Sequence, residues 1–148
     1  MAAYKTRLSE SDAAEAYARM WNRCDLAPFM HLKIARSVTM TMPVWTDGVP
    51  AEMRIQTFRG RNMLGAMLVI MVEHVLAEAM RQPGHTIRAE LATLGWEGRR
   101  RPAVVLGWWD GTTSRRVAIF ETGPAGVRHV ELLLDGGLDL EMSGVVPL

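Results

Sequence analysis

The chain has 148 residues, the size of one ordinary domain, and we expect a single domain over 1–148 with its core at about 10–136. Hydrophobic residues make up 49% and charged residues 22%, and the formal net charge of +1 gives no global field to recruit nucleic acid or an anionic membrane. The single cysteine, Cys24, excludes an intrachain disulfide and a cysteine-based zinc site. The N-terminus lacks the apolar stretch of a signal peptide, so a soluble, cytoplasmic protein is predicted.

Helical patterns dominate the first half of the chain. Ser9 is a good N-cap, with Asp12 three residues on, and apolar residues follow at helical spacing. After Gly60 comes a second long helical run, with Asn62 as its cap. This run is apolar on nearly every side at first, so it should be buried against a sheet. The predicted elements are helices at 10–24, 26–32 and 63–81, a strand at 34–44 and a short extended segment at 54–58.

The second half predicts an antiparallel meander of strands. Connections of hairpin length, EGRR, GTTS and PAG, separate four strand-like runs. The basic run at 99–101 is most simply interpreted as a solvated turn, and the tail from residue 136 is ambiguous. Helices followed by a curled sheet define an α+β fold, in which a cone-shaped sheet wraps around the long helix and leaves a hollow for a ligand. The predicted strands are at 85–96, 101–110, 115–123 and 126–135.

Several apolar and polar side chains are candidates for lining this hollow. The stretch TMTMPVW, at 39–45, places two methionines on one face of a strand, which suits either core or an adaptable pocket wall. His74 lies at the centre of the long helix, where it is either buried with a hydrogen-bond partner or reaches the hollow. Trp108 and Trp109 point to opposite faces, so at most one lines it. The predicted ligand-binding residues are Met40, Met42, Trp45, His74, Arg88 and Trp108.

Ionisable residues of the later strands are the candidates for proton chemistry. Arg88 and Glu90 share a strand face, where the arginine would lower the pKa of the carboxyl, or the two form a partly exposed ion pair worth little. His129 and Glu131 are two residues apart and form either an acid–base pair or a solvent-facing or interface group. The predicted catalytic residues are Glu90, Glu131 and His129. The histidines lack metal-ligand spacing, and there is no Gly-rich phosphate loop, so neither a metal nor another cofactor is predicted.

The order of these elements resembles the nuclear transport factor 2-like superfamily, whose members include polyketide-cyclase (SnoaL-like) proteins, ketosteroid isomerases and limonene epoxide hydrolases. The stretches AYARMWNRCDLAPFMHL, FRGRNMLGAML, RRVAIFETG and GVRHVELLLD carry the resemblance, which covers roughly 10–136. It implies a cystatin-like α+β barrel and a homodimer. It hardly specifies the function, since a shared fold is weak support for a shared activity.

Two departures from these relatives bear on activity. Ketosteroid isomerases carry a general-base aspartate directly before a proline. The dipeptide of this chain that resembles that motif is Met42-Pro43. Because a thioether accepts no proton at neutral pH, the general base is absent there. Epoxide hydrolases of this fold need an Arg-x-Asp on a mid-sheet strand, where this chain reads PAVVL. The last strand offers Glu131 or Leu132 in place of their second aspartate. Neither chemistry transfers intact.

Three functions are consistent with these patterns. The chain binds a small hydrophobic ligand in the cavity, or it is an isomerase, cyclase or epoxide-hydrolase-like enzyme using carboxylates of the later strands, or it is a non-catalytic dimeric interaction protein. An inward carboxylate of raised pKa would favour an enzyme, whereas methionine and tryptophan without a buried acid would favour binding alone. The expected partners are a small hydrophobic molecule and a second copy of the chain at the outer sheet face, with no nucleic acid and no membrane.

Overall fold

A computed structural model describes residues 7–45, 53–81, 87–108, 116–134 and 136–145. Within these ranges the chain forms three helices and seven strands, and the bounds of all but the last strand agree with the sequence-based predictions to within a few residues. The helices are α1 (Glu10–Arg23), α2 (Ala27–Met30) and α3 (Arg61–Arg81). The strands are β1 (Ile34–Trp45), β2 (Met53–Arg59), β3 (Ile87–Trp96), β4 (Arg99–Trp108), β5 (Arg116–Gly123), β6 (Gly126–Leu134) and β7 (Leu140–Val145).

The strands form one open, mixed sheet in the order β2-β1-β6-β5-β4-β3-β7. The predicted α+β fold class is confirmed, and β3 to β6 form the expected antiparallel meander. Between β1 and β6 the pairing is parallel, which the meander pattern alone does not predict. The ambiguous tail supplies β7, which pairs with the edge of β3.

The parallel seam between β1 and β6 begins at a glycine. The Val127 N–H donates to the carbonyl oxygen of Lys33 at 2.9 Å, which brings the two backbones together. Gly126 has a φ of +98°, and a Cβ at this position would meet that same carbonyl oxygen. Only glycine therefore permits this approach without a backbone shift.

Helix α1 begins at the cap that the sequence predicts and is fixed to the sheet at its other end. The Ser9 hydroxyl accepts from the Asp12 N–H and the Asp12 carboxylate accepts from the Ser9 N–H, so a capping box starts the helix. Cys24, with a left-handed φ of 51°, ends it. Near this end the Asn22 side chain accepts from the Ala89 N–H at 2.8 Å and donates to the Ala89 carbonyl at 3.1 Å. The amide therefore fixes the end of α1 to β3.

The main core lies between the helices and one face of the sheet, which we call the inner face. Tyr17 is at its centre, with ring centroids 5.3 Å from Phe29 and 5.2 Å from Phe120 in edge-on geometry. Its hydroxyl is buried, and none of the described residues is a hydrogen-bond partner for it. Burial raises the pKa of Tyr17 to about 12, although the neighbouring Trp21 indole acts in the opposite direction.

The basic run at 99–101 belongs to strand β4, so its interpretation as a solvated turn is wrong. The β3–β4 hairpin closes through only two residues, Glu97 and Gly98, with φ values of 50° and 83°. So tight a turn returns the chain to the sheet at Arg99, opposite Trp96. Two of the four residues in the predicted connection, Arg99 and Arg100, therefore belong to β4.

Arg101 joins the sheet to the start of α1. It is 5% exposed, and its guanidinium donates to the Phe120 carbonyl at 2.9 Å and to the Glu10 carboxylate at 3.1 Å. Arg99 donates to the same carboxylate at 2.9 Å. Burial by itself would raise the pKa of Glu10, but hydrogen bonds from Arg99 and Arg101 and their charges outweigh it, and the pKa is lowered.

Helix α3 packs against the sheet, as the sequence predicts, but it buries one face only although its sequence is apolar on nearly every side at first. Its buried residues repeat at helical spacing, whereas Ile70 is 58% and Met80 is 84% exposed. The helix packs against β1 and β2, the two strands at one edge of the sheet. These strands contact one face of the helix and leave the opposite face to solvent. None of the described helices combines the length and apolar character that crossing a membrane requires. The buried residues are Leu64, Leu68, Val72 and Val75.

The opposite, outer face of the sheet carries a second apolar cluster. Its members are nearly inaccessible within one chain, with at most 4% exposure. Both faces of the meander therefore bury apolar side chains. The cluster consists of Ala92, Leu94, Ala103, Val105, Val117 and Ile119, with Trp96, Leu133, Leu138 and Leu140 packed against it.

Candidate functional site

A cavity of about 380 Å³ lies between the helices and the inner face of the sheet. The end of α1 contributes Trp21, α3 contributes one face of its middle turns, and five strands provide the rest. Most of the lining side chains are apolar, and the polar side chains among them are an imidazole and a guanidinium. The lining residues are Trp21, Met42, Pro43, Met71, His74, Val75, Ile87, Leu106, Gly107, Arg116 and Leu132.

Two of the predicted ligand-binding residues line this cavity. Met42 projects from β1 on the inner face, and His74 is exposed, so it lies at the rim. His74 is therefore not the buried core histidine that was one of its two interpretations. Met40 is 0% exposed and belongs to the core beneath the cavity rather than to its wall.

The two predicted tryptophans of the site have described backbones only. Trp45 ends β1 opposite Met53, and Trp108 ends β4 opposite Ile87. Their side chains, and the whole of Trp109, lie outside the described residues. That Trp45 and Trp108 bind the ligand stays a prediction.

Arg88 and Glu90 lie on the outer face, away from the cavity. Their neighbours Ala89 and Leu91 belong to the inner core, and side chains alternate along a strand. The Arg88 Nε is 3.4 Å from the Glu90 Oε1, with side chains 38% and 35% exposed. An ion pair as exposed as this contributes little to stability, which agrees with the simpler of the two interpretations.

His129 and Glu131 also lie on the outer face, where they form a short polar chain. The Thr39 Oγ1 is 2.6 Å from the His129 Nδ1, and the His129 Nε2 is 3.5 Å from the Glu131 Oε1. The two side chains are 21% and 25% exposed. An irregularity in the β5–β6 pairing places Val127 in the inner core, so strict alternation along β6, which would put Val127 on the face of His129 and Glu131, does not hold.

Arg116 is the charged cavity residue that the sequence analysis missed. It heads β5, and two and four residues later Ala118 and Phe120 are buried in the inner core. The period of two along RRVAIF therefore indicates an inward arginine, although that signal was not used. Its side chain is half-buried, and burial lowers the pKa of Arg116. We find no hydrogen bond or ion pair between the Arg116 side chain and the described residues.

The chemistry that the described lining can support is limited. Neither aspartate nor glutamate occurs in it, so no carboxylate is placed to act as a general base inside the cavity. Across the described ranges, we find no group of three or more histidine, cysteine, aspartate or glutamate side chains able to hold a metal ion. The arrangement suits the binding of an apolar molecule.

A larger depression of about 730 Å³ runs along α1 and α2, but it is an open surface groove. Charged residues of both signs line it, including Asp12, Glu15, Arg19 and Arg23. So mixed and exposed a surface neither excludes water nor selects one kind of ligand. The cavity on the inner face is the better candidate site.

Comparison with solved structures shows the fold. The chain is similar to an NTF2-like protein of unknown function from Mesorhizobium loti, with a TM-score of 0.54 and 16% identity, over 86% of this chain and 93% of that one. It is also similar to a protein of unknown function with a cystatin-like fold from Methylobium petroleophilum PM1, with a TM-score of 0.51 and 14% identity, over 93% and 88%. No family model matches the sequence, and no curated protein matches it. The chain therefore has the nuclear transport factor 2-like fold, and likeness at this identity assigns no activity.

Proposed function

We propose that the protein binds a small hydrophobic molecule in the cavity of the inner face. The observation that supports this is a cavity of about 380 Å³ with a mostly apolar lining and no carboxylate among its described residues. Small-molecule sites occupy about 300–1,000 Å³ and combine apolar walls with a few polar groups. Between an enzyme with an inward acid and a simple binding protein, this lining favours binding.

The residues of the wall suit a ligand with a flat or flexible apolar body. Trp21 offers an aromatic surface that is only 2% exposed. Met42 and Met71 face the cavity from β1 and α3, and methionine adapts its shape to what it contacts. A site built in this way accepts related molecules of somewhat different outline.

Filling the cavity tests this proposal. Met71→Trp adds a large side chain to the wall, and the matched control Ile70→Trp adds the same side chain at the next position of α3, which is 58% exposed. Binding of 2-naphthalenemethanol and of 1-octanol is measured by isothermal titration calorimetry on the full chain. We expect saturable binding near one ligand per chain, a loss of at least about tenfold in Met71→Trp and no loss in Ile70→Trp. Equal binding by all three proteins, or none by the parent, would contradict the proposal.

A second candidate is an enzyme of the isomerase, cyclase or epoxide hydrolase type. The Thr39–His129–Glu131 chain supports it, because a carboxylate within 3.5 Å of an imidazole can orient that ring for proton transfer. This chemistry would take place on the outer face, opposite the cavity. Turnover of epoxide and ketosteroid-like substrates, lost in Glu131→Gln and His129→Gln, would support it. A parent protein that turns over neither panel would count against it.

The homodimer through the outer sheet face stays a prediction. The function of a non-catalytic dimeric interaction protein, which depends on it, also stays a prediction. The outer apolar cluster would extend such a contact, although one chain already buries its six central residues. Met142, 43% exposed and opposite Ala92, lies at its edge. A dimer in light scattering that Met142→Glu dissociates would support this surface, and a monomeric parent would exclude it.

A further inference from the structure

Arg116 is a charged group in the cavity wall whose charge is not balanced by its described neighbours. It lines the cavity beside Leu106 and is half-buried, and we find neither an ion pair nor a hydrogen bond from its side chain to the described residues. A guanidinium remains ionised at neutral pH even where burial lowers its pKa. A partly desolvated cation without a partner is costly, and a ligand that supplies the opposite charge removes that cost.

The remaining polar group of the lining agrees with this sign. His74, at the rim, is neutral or positive and never carries a negative charge. The other described lining residues have side chains that are uncharged or, as at Gly107, absent. The cavity wall therefore offers the positive charge of Arg116 among mostly apolar side chains, with no described carboxylate to compete with an anionic ligand.

We propose that the ligand is a monocarboxylic acid with a compact apolar body, whose carboxylate pairs with Arg116 while the body lies against Trp21 and the two methionines. This inference rests on the proposed binding function and adds the chemical class of the ligand. One planar guanidinium matches one carboxylate through two parallel hydrogen bonds. A phosphate would call for several converging backbone or cationic donors, and Arg116 is the one arginine or lysine in the described lining.

Matched pairs of acid and alcohol test the proposal directly. The probes are 2-naphthoate against 2-naphthalenemethanol and octanoate against 1-octanol, titrated calorimetrically into the full chain at neutral pH. The variants are Arg116→Met, which keeps an unbranched apolar side chain and removes the guanidinium with its charge, and Arg128→Met as control. Arg128 is exposed on β6 and does not line the cavity, so this control removes the same net charge elsewhere.

The expected result is that Arg116→Met weakens the binding of the acids and leaves that of the alcohols nearly unchanged. Each acid should bind the parent more tightly than its alcohol, and Arg116→Met should weaken the acids by about ten- to a hundredfold, the usual range for a hydrogen-bonded charge. The alcohols should change by less than about threefold in Arg116→Met, and Arg128→Met should bind all four probes as the parent does. Acids and alcohols that bind the parent equally, with Arg116→Met unaffected, would overturn the inference and leave the binding function standing. A parent that binds none of the four would overturn both.

Stability provides a second readout that needs no ligand. Since Arg116 lacks a described partner, replacing it with methionine should raise the urea midpoint of unfolding, and adding 2-naphthoate should raise the midpoint of the parent but not that of Arg116→Met. A lower midpoint in Arg116→Met would show that the guanidinium has a structural role, and would overturn the inference.

Discussion

The amide that ties α1 to the sheet can be tested by a change of one functional group, Asn22→Asp. Aspartate keeps the oxygen that accepts from the Ala89 N–H at 2.8 Å, but it replaces the donor that lies 3.1 Å from the Ala89 carbonyl by an oxygen. Ala89 is 0% exposed, so its carbonyl loses its partner in the interior and faces a negative charge. A buried group left in this state costs about 1–3 kcal/mol, a substantial part of the roughly 5–15 kcal/mol that stabilises a domain.

Acid should restore the lost hydrogen bond. A protonated aspartate at position 22 again offers a donor to the Ala89 carbonyl, so folding favours the neutral form and raises the pKa of this carboxyl above its unfolded value of about 3.9. At about 1.4 kcal/mol per pKa unit, the expected cost corresponds to about 1–2 units. A raised folded pKa means that the deficit is small below about pH 4 and fully present above about pH 6.

The assay is urea unfolding followed by tryptophan fluorescence at pH 7 and pH 4.5. The matched control is Asn62→Asp, an exposed position in the first turn of α3, where a negative charge is neutral or slightly favourable. Because each variant is compared with the parent at the same pH, other titrating groups cancel. A deficit for Asn22→Asp that is absent at pH 7, or that is the same at both pH values, would refute the anchoring role of the amide.

Two further substitutions test the buried polar groups of α1 by the same unfolding assay. Glu10→Gln should lower the free energy of unfolding by about 1–3 kcal/mol at pH 7, because Arg101 loses its carboxylate partner. The folded pKa of Glu10 lies below its ordinary value of 4.5, so the stability that its carboxylate contributes is present above that value and is lost as the pH falls through the folded pKa. The difference in unfolding free energy between parent and variant should therefore vanish in acid. An equal difference at pH 3 would contradict this expectation. Tyr17→Phe removes a hydroxyl without a partner and should leave stability at pH 7 unchanged or up to about 1 kcal/mol higher. With a folded pKa of about 12 against about 10 unfolded, Tyr17 costs the parent stability as the pH rises above 10, and a parent and variant with equal pH dependence there would contradict its burial.

Local patterns were sufficient for most of the elements, although not for β7 or the start of β4, and they were insufficient for the faces of the sheet. The capping box of α1 and the short hairpins depend on residues a few positions apart, so the sequence predicts them. Which face of β3 meets the helices depends on twist and on distant partners. Ala89 and Leu91 face the helices, whereas Ala92 and Leu94 are buried on the outer face. Because both faces of β3 carry apolar side chains, the sequence pattern does not indicate which face meets the helices.

The candidate site shows the same limit. Met42 and His74 were predicted because a strand and a helix each present a regular face, and both line the cavity. His129 and Glu131 were placed by simple alternation, but the irregular pairing between β5 and β6 changes the alternation before His129, and such an irregularity depends on two strands at once. Arg116 was missed, although its place two residues before Ala118 indicates the inner face.

The parallel seam between β1 and β6 has a consequence for how the chain folds. The hairpin of β1 and β2 with the adjoining α3, and the meander from β3 to β6, are each built from contacts between sequence neighbours. The seam instead joins residues 90 positions apart, such as Thr39 and His129, so its loop-closure entropy must be overcome before its contacts are gained. We expect the two local units to form first and the seam to close last, which makes the glycine at its start a determinant of how slowly the native chain opens.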